Sequence, residues 1–463
     1  MLKHNPSSQF SKLFLVGGLS LFLLASCKKD STNEPVIPGN GDPAQFETPF
    51  TGVPNTSDIV MYEINERAFS SSGTLAGIQP RLDSIKSLGV NVIWLMPVYP
   101  IGAVKSVNSP YSVKDYKAVN PEFGNLDDLR NLVREAHKRN MAVILDWVAN
   151  HTSWDNDWIK NKNWYTQDGN GNIISPAGTN WQDVADLNYN NSEMRLAMIK
   201  AMKYWILTSN VDGYRCDAAD FVPFMFWKQA IDSLRQIPNH KLIMLAEGAR
   251  SDHFTAGFNL NFSWNFLNTS KDVFANKVSA TAFYQTHFDE YSFVPAGCEK
   301  LRFTSNHDIC AWDDTPLGLF GGIPASMSAF AVTAFMGGVP LIYNGQEVGC
   351  PVKLPYFSKS PIDWTLNPDM MMEYKWLMSV RSRHAAVHSG TLSYYPDESI
   401  VAFRRKLDAD EVVVFANTRS SNQTIVTPSE LLTTSWKNSF TGYTGQLTDS
   451  ITLGAYGFLI LEK

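Results

Sequence analysis

Between residues 59 and 343, eight short apolar, β-branched or aromatic runs alternate with longer amphipathic stretches, and no other feature of the chain constrains its fold as strongly. A short run that is apolar on both faces reads as a strand covered on both sides. Such a run followed by an amphipathic helix reads as one βα unit of a parallel sheet. The runs are 59–64, 90–95, 141–147, 213–216, 242–245, 258–262, 301–304 and 339–343. Between the second and third, Leu129, Leu132, Val133 and Ala136 recur at spacings of three and four within 126–139, which is one apolar helix face. Eight such units predict an α/β fold, a closed (β/α)8 barrel.

Two segments break the rhythm. From about 150 to 190, Gly, Asn, Asp and Trp dominate and neither period persists, which predicts an inserted loop domain after strand 3. Past 387 the texture changes to alternating segments at 400–405, 412–417 and 457–461 separated by polar turns, which predicts a C-terminal antiparallel β-sandwich over 388–463. The barrel with its insertion is expected over 51–387. At the start of the chain, Lys3, His4 and Lys12 precede the apolar stretch 13–24, and Leu24-Ala25-Ser26-Cys27 closes it. The stretch is about half the ~20 residues that a membrane span needs. This pattern resembles a bacterial lipobox. It implies a signal peptide over 1–26, lipidation of Cys27, a flexible tether over 27–50 and an outer-membrane lipoprotein on the cell surface or the periplasmic face, touching the membrane through its lipid anchor only. An ordinary cleaved signal and a short membrane anchor are the alternatives.

Composition narrows the partners. Forty-five acidic against 39 basic side chains give a net charge of -6 with no basic stripe, which excludes nucleic acid as a partner. Thirteen Trp and 17 Tyr offer flat rings that stack on sugar faces, although such rings serve cores as well. Cys216, Cys298, Cys310 and Cys350 are even in number but lack the dense spacing of a disulfide scaffold, so their pairing stays open.

In a barrel of parallel strands the chemistry collects at the carboxyl ends, and polar groups follow several of the apolar runs. Strand three ends in Asp146-Trp147-Val148-Ala149-Asn150-His151, strand four in Gly213-Tyr214-Arg215-Cys216-Asp217, strand five in Ala246-Glu247 and strand seven in Ser305-Asn306-His307-Asp308. One acid after a strand is commonly a helix cap. Four polar clusters at matching strand ends are a constellation, and two carboxylates flanking a glycosidic bond suffice for acid-assisted displacement. Arg215 lies two residues before Asp217, hence on the same face, and is expected to keep that carboxylate ionised.

These four stretches resemble the signature regions of the α-amylase family, glycoside hydrolase family 13. Val184-Ala185-Asp186-Leu187-Asn188 is similar to the family's additional motif, and Tyr111 in Ser109-Pro110-Tyr111 resembles its sugar-stacking tyrosine. The resemblance implies Asp217 as nucleophile, Glu247 as general acid and then base, and Asp308 as the residue that holds and distorts the sugar. It implies Tyr111, His151, Arg215 and His307 as substrate-binding groups. It also implies a structural Ca2+ at Asn150 and Asp186, with Asp183 as a further oxygen donor.

The chain departs from the family pattern after the nucleophile segment. Asp220 and Phe221 stand where many endo-acting members carry Lys-His, which puts a preference for long starch in doubt. Ala218 resembles α-1,4-cutting members. The resemblance therefore implies retaining hydrolysis of α-1,4 bonds in starch-derived glucans or maltooligosaccharides, with glycan-uptake proteins of the envelope as possible neighbours. Neopullulanase-like or cyclomaltodextrinase-like, α-1,6-acting and transglycosylating activities are the close alternatives, and a non-catalytic glucan-binding lipoprotein is the distant one.

Overall fold

A computed structural model describes residues 41–463. The signal peptide, Cys27 and the first part of the tether lie outside the described residues. The eight expected runs form one closed parallel barrel: β1 Met61–Ile64, β2 Val92–Leu95, β3 Ala142–Val148, β4 Gly213–Asp217, β5 Ile243–Ala246, β6 Leu260–Phe262, β7 Glu299–Arg302 and β8 Val339–Tyr343. Each strand pairs with its neighbours in chain order, and β1 closes on β8 with Met61 opposite Leu341.

Alternation along each strand sorts the side chains. Met61, Val92, Ile144, Leu245, Leu260, Leu301 and Leu341 fill the interior, while Tyr62, Ile93, Val143, Tyr214 and Met244 point outward under the helices. Two residues further along the same inward faces come Glu63, Asp146 and Arg215, all buried, so the carboxyl end of the barrel is capped by a charged layer. Gly213 starts β4 with φ +140, and a Cβ there would lie 1.9 Å from the Ile243 carbonyl oxygen; only glycine lets β4 lie this close to β5.

Strand β7 begins two residues earlier than its apolar pattern indicates. Its first residues are charged yet satisfied: Glu299 accepts from Tyr291 at 2.6 Å and Lys300 donates to Asn261 at 2.6 Å. The helix Leu126–Lys138 starts at Asn125, whose side chain and that of Asp128 form a reciprocal capping box. The insertion between β3 and β4 holds a short antiparallel pair, His151–Ser153 with Val184–Asp186. The last residues assigned to the tether are tied down: the Phe46 amide donates to the Leu207 carbonyl at 2.7 Å, and the Phe50 ring stacks on His137 at 4.2 Å. Phe46 and Phe50 are the apolar anchors that a composition reading of the tether passes over.

The C-terminal part comprises β9 Thr391–Tyr395, β10 Ile400–Leu407, β11 Asp410–Asn417, β12 Gln423–Val426, β13 Ser435–Asn438, β14 Thr444–Gln446, β15 Ser450–Leu453 and β16 Phe458–Glu462. Six of them form an antiparallel sheet in the order β9-β10-β11-β16-β13-β14, and β12 pairs with β15. The two sheets share a core that includes Phe415, Ile425, Trp436 and Ile451. The larger sheet is bonded to the barrel's helices, with the Tyr284 hydroxyl donating to the Ala402 carbonyl at 2.8 Å and Arg405 donating to the Met336 carbonyl at 3.1 Å.

Near the end of β16, the carboxylate of Glu462 accepts from Arg383 at 2.6 Å, Lys437 at 2.7 Å and His384 at 3.0 Å. Burial alone would raise its pKa, but the hydrogen bonds from these three side chains hold it down to about 2. A carboxyl lowered on folding adds stability above its unfolded value of roughly 4.3 and loses it as pH falls through the folded value. Glu462→Gln is therefore expected to cost about 2 kcal/mol of unfolding free energy at pH 7. Denaturation series should show that penalty shrinking below about pH 4.5; a penalty that does not change with pH contradicts the cluster.

Candidate active site

The charged layer is organised around Arg215, which is fully buried inside the barrel. Its Nη1 lies 2.8 and 2.9 Å from the two oxygens of Asp146 and donates at 3.2 Å to Oδ1 of Asp217. Its Nη2 is 2.8 Å from Oε2 of Glu247, an ion-pair contact without the alignment of a hydrogen bond. One guanidinium thus faces three carboxylates on three consecutive barrel strand ends. A charge of this kind survives burial because both of its terminal nitrogens lie 2.8 Å from a carboxylate oxygen.

The expectation that Arg215 keeps Asp217 ionised is only part of the balance. Burial pushes the Asp217 carboxyl well up and Glu247 adds to the rise, while Arg215 opposes both. Burial and then Asp308 also raise Glu247, again against Arg215. The two neighbouring carboxyls are therefore both raised, against the pull of the one cation that they share.

Local backbone fixes their relation. Ala218 follows Asp217 with φ +44, an uncommon left-handed conformation for a residue with a Cβ. In that pose its N–H donates to Oε2 of Glu247 at 2.7 Å, and the next amide, that of Ala219, donates to the Glu247 carbonyl at 2.9 Å. Asp220, which replaces the first residue of the family's Lys-His pair, lines the cavity and accepts from the Ala249 amide at 3.1 Å, which ties down the loop after Glu247.

Opposite lies a second polar group. The Tyr111 hydroxyl is 3.1 Å from Oδ2 of Asp146 and 2.7 Å from Nε2 of His307, and the two rings stack at 5.5 Å. Trp94 donates to the same Asp146 oxygen at 3.2 Å. Tyr356 donates to Oδ1 of Asp308 at 3.1 Å and accepts from the Trp312 indole at 3.0 Å. His151 is buried, which lowers its pKa to about 4 and leaves it neutral, and its ring meets Trp181 edge-on at 5.6 Å.

Asp217, Glu247, Asp308, Tyr111, His151 and His307 all line one cavity of about 700 Å3 at the carboxyl end of the barrel. Arg215, expected among the substrate-binding groups, is fully buried and is not among the residues that line it, so it acts on the carboxylates and not on the sugar. Phe221 is 55% exposed at the rim and packs on Trp181 at 5.6 Å, while Trp312, 62% exposed, stands on another part of the lining. Sequence reasoning missed Tyr356, Trp312 and Glu63. Tyr356 sits on a loop and Trp312 on the helical turn Ile309–Asp313, both beyond the strand-end motifs, and Glu63 lies inside a run read as apolar.

Asn150 and Asp186 are not in the cavity lining. They sit at the paired strands of the insertion, where His151 is opposite Asp186. Burial raises the Asp186 carboxyl and also that of Asp183. Among the described residues no three His, Cys, Asp or Glu side chains converge on one point. Two side-chain oxygen donors are an edge of the six-to-eight-oxygen shell that Ca2+ takes, so the side chains alone do not assemble the expected calcium site. The four described cysteines, Cys216, Cys298, Cys310 and Cys350, are free thiols.

Comparison with known proteins agrees with this geometry. The family profile of the alpha amylase catalytic domain matches residues 30–172 and 178–373. Alpha-amylase 3 of Dictyoglomus thermophilum is 26% identical over 430 residues, covering 78% of this chain and 84% of that protein. A cyclomaltodextrinase of Thermoanaerobacter pseudethanolicus is 26% identical, covering 76% of this chain and 65% of its own length. The crystal structure of a maltogenic alpha-amylase from Thermotoga neapolitana superposes with a TM-score of 0.79 at 25% identity, covering 89% of this chain and 99% of that one. With the profile spanning most of the barrel, the chain belongs to the α-amylase family, glycoside hydrolase family 13, and is a glycosidase.

Proposed function

We propose that the protein is a retaining α-glucan hydrolase that cleaves α-1,4 bonds in starch-derived poly- or oligosaccharides. The observation that carries this reading is the single cavity into which Asp217, Glu247 and Asp308 open above one buried guanidinium. Asp217, hydrogen-bonded by Arg215, attacks the anomeric carbon, while Glu247 gives its proton to the departing glycosidic oxygen. The glycosyl ester on Asp217 is then opened by water whose proton passes to the Glu247 carboxylate. Two inversions leave the configuration retained. The reaction requires the proton on Glu247, whose carboxyl is raised by burial and then by Asp308, and an ionised Asp217, the form that the hydrogen bond from Arg215 favours. Tyr111 offers its ring to a sugar face, His151 and His307 bind hydroxyls, and Asp308, oriented by Tyr356, holds and distorts the sugar.

The rim favours a second reading, the opening of cyclic or short α-glucans. Phe221 and Trp181 present an apolar wall where long-starch enzymes place a Lys-His pair, and the relatives include a cyclomaltodextrinase and a maltogenic amylase. Action on α-1,6 bonds and transfer to a sugar in place of water are further outcomes of the same assay.

Products from soluble starch, pullulan, maltoheptaose and β-cyclodextrin, with Asp217→Asn as control, test both readings. We expect α-configured maltooligosaccharides and a loss of at least about 10^3-fold in the variant. Products first released in the β configuration contradict retention. Binding without turnover in both proteins leaves a glucan-binding lipoprotein. Calcium enters the proposal only as a structural ion at Asn150 and Asp186, supported by the resemblance of these two positions to the family's calcium-binding ones. Running the panel with calcium and with a chelator reads that ion as a change in thermal stability.

The reading also places the enzyme in the cell envelope as an outer-membrane lipoprotein beside glycan-uptake proteins, supported by Leu24-Ala25-Ser26-Cys27. No helix among the described residues is long and apolar enough to cross a membrane. Metabolic labelling with palmitate should mark the wild type and not Cys27→Ser; equal labelling, or none in either, contradicts the anchor.

A further inference from the structure

Glu63 lies on β1 at the same inward parity as Met61 and is fully buried in the charged layer. Its Oε1 is 2.5 Å from Nδ1 of His307. On the other side of that ring, Nε2 is 2.7 Å from the Tyr111 hydroxyl and 3.4 Å from Oδ2 of Asp308. The protons can be counted. The Tyr111 hydroxyl has one, and an Asp146 carboxylate oxygen 3.1 Å away can only accept it. Toward His307 the same oxygen is then an acceptor, so Nε2 must carry a hydrogen. A further proton lies between Nδ1 and the Glu63 carboxylate. Burial raises the Glu63 carboxyl, but His307 and then Arg215 oppose that rise, and Asp308 and Asp146 surround the ring with negative charge, which together favour the proton on the ring.

We propose that Glu63 is a positioning residue that holds His307 as a doubly protonated cation, so that the ring presents an N–H, and not a lone pair, to the cavity. The inference rests on the reading of His307 as a substrate-binding group. It gives the site a second fixed cation beside Arg215, facing Asp146, Asp308 and Glu247. It also fixes the direction of hydrogen bonding: Nε2 donates to the Tyr111 oxygen, can share that hydrogen only with Asp308 or a sugar oxygen, and cannot accept from a hydroxyl. The ring has little freedom to escape this role, since it stacks on Tyr111 at 5.5 Å and meets Trp94 and Tyr356 edge-on at 5.8 and 5.5 Å.

The titratable groups facing His307 are Glu63 from β1, Tyr111, Asp146 from β3, Arg215 from β4, Glu247 after β5, its neighbour Asp308, and Tyr356. Burial disfavours the ring's charge, but Asp308 and Glu63 together raise its pKa to about 9. Glu63→Gln keeps the shape and removes the charge.

The test follows His307 in purified protein labelled with 15N-histidine, assigned by comparison with His307→Gln. In the wild type, the ring is expected to stay doubly protonated through pH 8. In Glu63→Gln its titration midpoint should fall by at least about one pH unit. In parallel, the alkaline limb of the kcat/KM profile should move down in Glu63→Gln and recover its position, with lower overall activity, in Glu63→Asp. A neutral ring at pH 7 in the wild type, with the proton on Glu63, overturns the proposal. So does an unchanged midpoint in Glu63→Gln, and a Glu63→Gln protein that fails to fold leaves the wild-type spectrum and Glu63→Asp to decide. The spectra need no turnover, so a failure of the proposed hydrolysis, read by Asp217→Asn, is distinguishable from a failure of this assignment.

Discussion

A single guanidinium in the middle of a barrel determines much of what this protein can do. Arg215 would be prohibitively costly to bury alone, and it is tolerated because Asp146, Asp217 and Glu247 converge on it from β3, β4 and the end of β5. The converse also holds. Without the cation, three carboxylates could not share so small a volume in ionised form. The reacting groups are therefore fixed by the same interaction that makes the polar layer stable, and the barrel's apolar floor of Met61, Ile144, Leu245 and Leu341 gives that layer a rigid base.

The fixed geometry explains why the site is uneven in charge. Asp146 is spent on Arg215, Trp94 and Tyr111 and is closed off from the cavity. Asp217 and Glu247 share Arg215 with it, so their attraction to the cation is diluted and burial prevails in both. Two neighbouring carboxyls whose environments raise them unequally are suited to a reaction in which one acts as nucleophile while the other is an acid. The strained Ala218 completes the arrangement by pointing its amide at Glu247.

How far the sequence discloses this depends on where each residue lies. Strand ends are legible because an apolar run followed by a polar cluster is a strong local signal, and Asp217, Glu247, Asp308, Tyr111, His151 and His307 all reach the one cavity. Glu63 is hidden because a single acid within Met61-Tyr62-Glu63-Ile64 looks like an interruption of a strand until its partner, 244 residues away, is known. Tyr356 comes from a loop, and Trp312 from a single helical turn, Ile309–Asp313, too short for periodicity to record. The short strands of the second sheet layer, β12 and β15, alternate with mostly polar side chains and leave only Ile425, Ile451 and Leu453 as a signal. Asp220, read as a departure from the family's Lys-His pattern, has its carboxylate engaged in fixing the loop after Glu247.

The most direct measurement of the central claim is mass spectrometry of the intact protein, and of its peptides, after incubation with a 5-fluoroglucosyl fluoride, which slows the second displacement and lets a glycosyl-enzyme accumulate. The account predicts one fluoroglucosyl group, attached to Asp217 and released when maltose is added. An adduct on another carboxylate, or none in a protein that still degrades starch, contradicts it.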